Sequence, residues 1–183
     1  DRSQAIGTLV VAADIAGPLD DELLDRVRVS LVQAARLAGE HGIRLALEFQ
    51  APSAFANNLE TAAALVAEIG SSQLGICLDT FHYYTGPSKF EDLGYLTRDN
   101  LFHVQLCDLS GMPRELATDA DRILPGDGDF QLEPLVEQLR RVGYEGYVSV
   151  ELLNPQIWRV PPRQFGEIAM TALRKVLGQA SMD

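Results

Sequence analysis

Basic residues are scarce in this chain. Fifteen Lys and Arg stand against twenty-six Asp and Glu, for a net charge of −11, and no basic run exceeds two residues. A duplex-binding surface needs a basic stripe to neutralise phosphates, so nucleic acid is excluded as a partner and anionic membranes are disfavoured. Cysteine is nearly absent. Cys77 and Cys107 both fall in or beside apolar runs and read as small core residues rather than a disulfide or thiolate ligands. No apolar stretch approaches the roughly 18 residues of a membrane span, and Asp1-Arg2-Ser3-Gln4 does not open a signal peptide. The expectation is a cytoplasmic protein without a membrane partner. The chain begins without Met, which suggests that something upstream has been removed or omitted.

The 183 residues are 46% hydrophobic, with glycine and proline dispersed, a composition that supports a core in one domain spanning 1–183. Gly7 to Ala13 is apolar throughout, as a parallel strand covered on both faces would be. Asp20, Asp21 and Glu22 then open a helix, with Leu23, Leu24, Val27, Leu31, Ala34, Ala35 and Ala38 at helical spacing and an end near Glu40-His41-Gly42. Ile43 to Phe49 reads as the second strand. Asn58 caps a helix from Leu59 to Ile69, which Gly70 closes. Leu74 to Asp79 is the third strand. From His82 to Asn100 the pattern predicts a loop with one short helix around Lys89 to Tyr95, and Leu101 to Cys107 is the fourth strand. A long connection from Asp108 to Asp129 precedes a helix marked by Leu132, Leu135, Val136 and Leu139, then a strand from Tyr147 to Leu152 and a helix from Pro162 to Leu177.

Five βα units predict an α/β fold with a parallel sheet. A whole (β/α)8 barrel takes about 250 residues, so the expectation is the C-terminal five units of a TIM barrel. The alternative, a smaller doubly wound sheet, is less favoured because a metal-competent group ends successive strands: Glu48, Asp79, His103 and Glu151. At the carboxyl face of a barrel such groups converge and make a site for a hard or borderline divalent cation. Mn²⁺ or Mg²⁺ suits the set, with Co²⁺ and Zn²⁺ admitted. A metal there acidifies a C–H beside a carbonyl, and Glu48 and Glu151 are the natural pair to remove and return that proton.

His82 follows Asp79 by three residues and overhangs the same mouth, whereas His41 belongs to a helix end. Gln105 and Asp108 flank His103 and are expected to orient its ring. Arg122 opens Arg122-Ile123-Leu124-Pro125-Gly126-Asp127-Gly128 and is a candidate for a substrate oxygen or phosphate. Tyr83 and Trp158 are candidates for a sugar-binding wall or for packing.

The string Leu78-Asp79-Thr80-Phe81-His82, then His103 with Asp108, then Arg122 through Gly128, then Gly143-Tyr144-Glu145-Gly146-Tyr147-Val148-Ser149-Val150-Glu151 resembles the xylose isomerase-like superfamily of sugar and sugar phosphate isomerases and epimerases. The likeness runs from about Ile43 onward and is greatest to ketose 3-epimerase and hydroxypyruvate isomerase types. It implies a divalent metal on Glu48, Asp79, His103 and Glu151, acid/base roles for Glu48 and Glu151, and contacts from His82 and Arg122 to substrate oxygens. It also implies that the first strand here is the fourth of eight. The long insertion between Asp108 and Arg122 departs from compact ketose epimerases and weakens the transfer to Arg122.

The expected function is therefore a metal-dependent isomerase or epimerase of a small sugar or sugar phosphate. A dehydratase acting on an inosose or on 3-dehydroshikimate shares the proton abstraction and stays open as the alternative. An endonuclease IV-like DNA repair enzyme needs further histidines for three zinc ions, and none follows His103. A barrel that only binds sugar would be favoured by loss of a ligand, and none of the four is missing. An open five-strand arc exposes two edges, which predicts a homo-oligomer or poor folding for this chain alone.

Overall fold

The computed structural model describes residues 6–15 and 17–179. Its centre is one all-parallel sheet of five strands in sequential order: β1 (Thr8–Ala12), β2 (Arg44–Glu48), β3 (Leu74–Asp79), β4 (Leu101–Leu106) and β5 (Val148–Val150). Helices α1 (Asp21–Glu40), α2 (Leu59–Ile69), α3 (Thr80–Thr85), α4 (Leu132–Arg141) and α5 (Pro162–Val176) connect or follow the strands. Sequential order with every neighbour parallel is the connectivity of a half-barrel, and all five carboxyl ends open on one side.

Local chemistry sets the helix limits. The Asp20 carboxylate accepts from the Leu23 amide at 2.7 Å to start α1, and Asn58 does the same for Thr61 at 2.9 Å to start α2. Gly70 ends α2 at φ +63°, a left-handed position that a side chain resists. The unpredicted helix is α3. Asp79, the last residue of β3, caps it by accepting from the Phe81 amide at 2.6 Å, so the chain turns straight from strand into helix.

β2 and β3 are buried almost end to end, and the side chains of Leu47, Phe49, Ile76 and Leu78 join Leu59, Leu65 and Leu31 in the main core. β1 departs from the expectation of cover on both faces. It stands at one end of the arc, and Leu9 and Val10 are exposed. At the other end β5 pairs over only three residues, shorter than predicted, although the Glu151 amide still reaches the Leu106 carbonyl at 3.2 Å. Tyr83 is buried in the core with its hydroxyl on the Lys89 carbonyl, which makes it a packing residue, while Trp158 is largely exposed. Both cysteines are free and buried. Among the described residues no helix is long and apolar enough to cross a membrane.

The connection after β4 is tied down at both ends. Asp108 and Ile123 exchange two backbone hydrogen bonds at 3.0 Å. The Asp108 carboxylate accepts from the amides of Leu109, Gly126 and Phe130 at 2.9–3.0 Å. Gly128 lies so close that a Cβ there would meet the Asp108 carboxylate and the Leu109 carbonyl at 2.4 Å, which explains the glycine. The Tyr84 and Phe130 rings stack at 4.6 Å and seat the returning chain on α3.

Candidate active site

Three carboxylates meet at the open mouth. Glu48 ends β2, Asp79 ends β3, and Glu151 directly follows β5. Glu48 and Asp79 are buried, at 7% and 0% exposure, and a ligand atom of each lies within 4.8 Å of one on His82. Into this group comes Arg122, itself only 1% exposed. One of its nitrogens, Nη1, donates to Asp79 Oδ2 at 2.7 Å and stands 3.2 Å from Glu151 Oε2. Its Nε and Nη2 reach Asp119 Oδ1 at 2.8 and 2.7 Å, and its guanidinium lies 4.4 Å above the Phe81 ring.

The charges do not share the space equally. Burial opposes ionisation of Asp79, yet the Arg122 guanidinium and the hydrogen bond with Glu151 hold it below the usual carboxylate value. Burial, then the neighbouring Asp79 charge, raises Glu48 to about 8. Glu151 also rises to about 8, through burial and its hydrogen bond to Asp79. One carboxylate is therefore pinned as an anion between two that hold protons near neutral pH.

That division has a consequence for the chain stripped of metal. Two glutamates whose values rise from 4.5 to about 8 on folding bind more protons folded than unfolded across that window, so stability falls as pH rises through it. Asp79 acts oppositely, but its contribution is lost only on acidification below its ordinary 3.8. The expected result in excess chelator is a thermal midpoint higher at about pH 5 than at about pH 9. A flat or rising profile by differential scanning calorimetry would contradict the paired protonation.

His82, in α3, is fixed by a backbone contact. Its Nδ1 accepts from the Ala51 amide at 3.3 Å, which places the ring proton on Nε2. Burial lowers its pKa, so the ring is neutral. Arg122 Nη2, 3.4 Å from Nε2, is also a donor, and with this tautomer the two are neighbours rather than a hydrogen-bonded pair. The lone pair being engaged by Ala51, His82 is suited to donating to a substrate oxygen. A cleft of about 350 Å³ lies beside it, lined also by Ala51, Phe81, Arg114, Thr118 and Asp119.

His103 stands apart. Its Nε2 bonds Ser149 Oγ at 2.9 Å, and burial alone depresses its pKa, with no carboxylate contributing. The β3–β4 register shifts after the Ile76–Leu101 pair, so that His103 lies opposite Cys77 and Gln105 lies opposite Asp79. The expected orientation of His103 by Gln105 and Asp108 is not what forms: Asp108 braces its own loop, and Gln105 accepts from the Cys77 thiol at 2.9 Å. Asp119 is the site residue that the sequence reading missed. Its signal is an acid three residues before Arg122 in a tight Asp119-Ala120-Asp121 turn.

The cluster fits a divalent cation by its donor set: ligand atoms of Glu48, Asp79 and His82 lie within 4.8 Å of one another, and Glu151 hydrogen-bonds to Asp79 beside them.

A family model described as xylose isomerase-like TIM barrel matches residues 1–175. The chain is 31% identical to an inosose isomerase of Halalkalibacterium halodurans over 131 residues, 71% of this chain and 46% of that protein. It is 29% identical to a 3-dehydroshikimate dehydratase of Pseudomonas putida over 176 residues, 90% of this chain and 26% of that one. A crystal structure of the IolI protein with a binding zinc atom superposes with a TM-score of 0.86 at 26% identity, covering 96% of this chain and 65% of the other. The chain thus spans between about a quarter and two-thirds of the length of these three proteins.

Proposed function

The chain belongs to the xylose isomerase-like TIM-barrel family, and on that premise we propose that it supplies the catalytic half of a divalent-metal-dependent isomerase or epimerase of a small sugar or sugar phosphate. The observation that carries the reading is the convergence of Glu48, Asp79 and Glu151 from the carboxyl ends of β2, β3 and β5, with the two glutamates poised near neutral pH around an ionised aspartate. A divalent cation held by those carboxylates, Mn²⁺ or Mg²⁺ by preference, supplies a Lewis acid that polarises a carbonyl and acidifies the adjacent C–H. Glu48 and Glu151 are assigned to move the proton, one removing it and the other returning it at the opposite face or the neighbouring carbon. His82 donates its Nε2 proton to a substrate oxygen. Arg122, expected from the sequence to meet a substrate oxygen or phosphate, is instead buried against Asp79, Glu151 and Asp119, and its role in this reading is to hold those carboxylates in place.

A dehydratase is the second reading, favoured by the 90% coverage of this chain by the Pseudomonas putida relative. Both begin with loss of the same proton and diverge afterwards. The test is incubation with Mn²⁺ and a panel of ketoses, inososes and 3-dehydroshikimate in D₂O, read by NMR and mass spectrometry. An isomerase or epimerase returns a product of unchanged formula carrying deuterium from solvent beside the carbonyl. A dehydratase returns a product lighter by one water. Turnover that incorporates no solvent deuterium and loses no water would count against proton abstraction.

A further inference from the structure

The fourth strand end contributes something other than its histidine. On β4 the residue level with Asp79 is Gln105, while His103 lies two residues earlier, roughly 6.6 Å toward the amino ends of the strands. Gln105 faces the same way as the site, because its carboxamide meets Cys77, the residue one step below Asp79 on the same face of β3. The pair is therefore a thiol and a neutral amide on the site-facing side of the sheet, with the amide at the level of Asp79.

Gln105 is 8% exposed, and the thiol is its one side-chain hydrogen-bond partner among the described residues. A buried carboxamide normally satisfies more of its four bonding positions than that. A thiol is a weak donor and a weak acceptor, so it holds either end of the amide with little preference. Half a turn about the terminal torsion gives the amide NH₂ to Cys77 Sγ and turns the carbonyl oxygen toward the cluster. His103 has no comparable freedom toward the site, since its Nε2 is engaged one layer down by Ser149.

We infer that Gln105, through its carbonyl oxygen, completes the metal shell formed by Glu48, Asp79 and Glu151, and that His103 is a structural residue beneath it. This rests on the metal-dependent reading above and deepens it. A shell of carboxylate and amide oxygens without imidazole favours hard cations, so this chain selects Mn²⁺ or Mg²⁺ over Zn²⁺ more strongly than a site containing a histidine does.

The test is metal binding, independent of turnover. The whole chain is stripped with chelator and titrated calorimetrically with Mn²⁺ and Zn²⁺, and bound Mn²⁺ is followed by electron paramagnetic resonance. Gln105→Ala should weaken Mn²⁺ by about tenfold or more, at least the loss typical of groups that support a metal ligand. Gln105→His should raise the Zn²⁺-to-Mn²⁺ affinity ratio by about tenfold, a gain that misfolding does not produce. His103→Ala should leave Mn²⁺ affinity within about twofold, the mark of a group outside the shell. The inference is overturned if His103→Ala costs as much as Asp79→Asn, or if both Gln105 variants bind like wild type. Failure of wild type to bind either ion overturns the metal-dependent reading as well. Binding that is lost in Asp79→Asn but kept in Gln105→Ala overturns this inference alone.

Discussion

Glu151→Gln and Glu48→Gln should each lower kcat by about 10²- to 10⁴-fold, the range that a positioned acid or base supplies, with a much smaller change in KM. Glutamine keeps the shape and a carbonyl oxygen but cannot take up a proton. A base is most effective when its pKa lies near the working pH, and both glutamates are raised to about 8, by burial first and by Asp79 second. The two variants should differ from each other in one respect. If the pair works from opposite faces of the substrate, each single variant loses turnover yet still exchanges solvent deuterium at the face served by the surviving glutamate. Because both residues are also assigned to the metal, kcat is measured at saturating Mn²⁺ with bound Mn²⁺ determined in parallel. Recovery of full kcat by added Mn²⁺ would reduce both residues to metal ligands and remove the acid/base assignment.

Those two glutamates were legible in the sequence because their signal is local: an acid at the carboxyl end of an apolar run needs only the strand to be recognised. The same holds for Asp79 and for α2, whose cap Asn58 and terminating Gly70 are written into neighbouring positions. α3 is not legible because six residues are too few to display a helical period, and because its cap, Asp79, is also a site residue at the end of a strand. The residue that β4 sets level with Asp79 was not legible at all. It depends on a one-residue shift in the β3–β4 register, which moves Gln105 level with Asp79 and leaves His103 below. A histidine at a strand end looks like a ligand in one dimension; only the pairing shows which level it occupies. The burial of Arg122 was hidden for a related reason. Asp119 lies three residues away, but Asp79 and Glu151, which receive the other side of the guanidinium, come from strands 43 and 29 positions away in the numbering.

Arg122 is accordingly where a single substitution should cost the fold most. Its guanidinium is 1% exposed and Asp79 is 0% exposed, so Arg122→Leu leaves a buried anion without its partner. Removing one member of a buried pair typically costs about 3–5 kcal/mol, more than the pair itself is worth against an apolar substitute. At roughly 2–4 °C per kcal/mol for a chain of this size, the midpoint should fall by about 6–20 °C. Part of that loss should be recovered in two ways. Mild acid protonates the stranded Asp79, whose low pKa depends on Arg122 once burial has been overcome. Mn²⁺ at millimolar concentration restores positive charge to the same carboxylates and stabilises the folded state by mass action. Arg122→Lys keeps one charge but loses the fork that spans Asp79, Glu151 and Asp119 and the face that covers Phe81, so it should fall between wild type and Arg122→Leu. Denaturant unfolding of the three proteins, with and without Mn²⁺, measures the order. Equal stability of Arg122→Leu and wild type in chelator would mean that Asp79 is protonated in the folded chain, and with it the picture of one fixed anion between two protonated glutamates would fail.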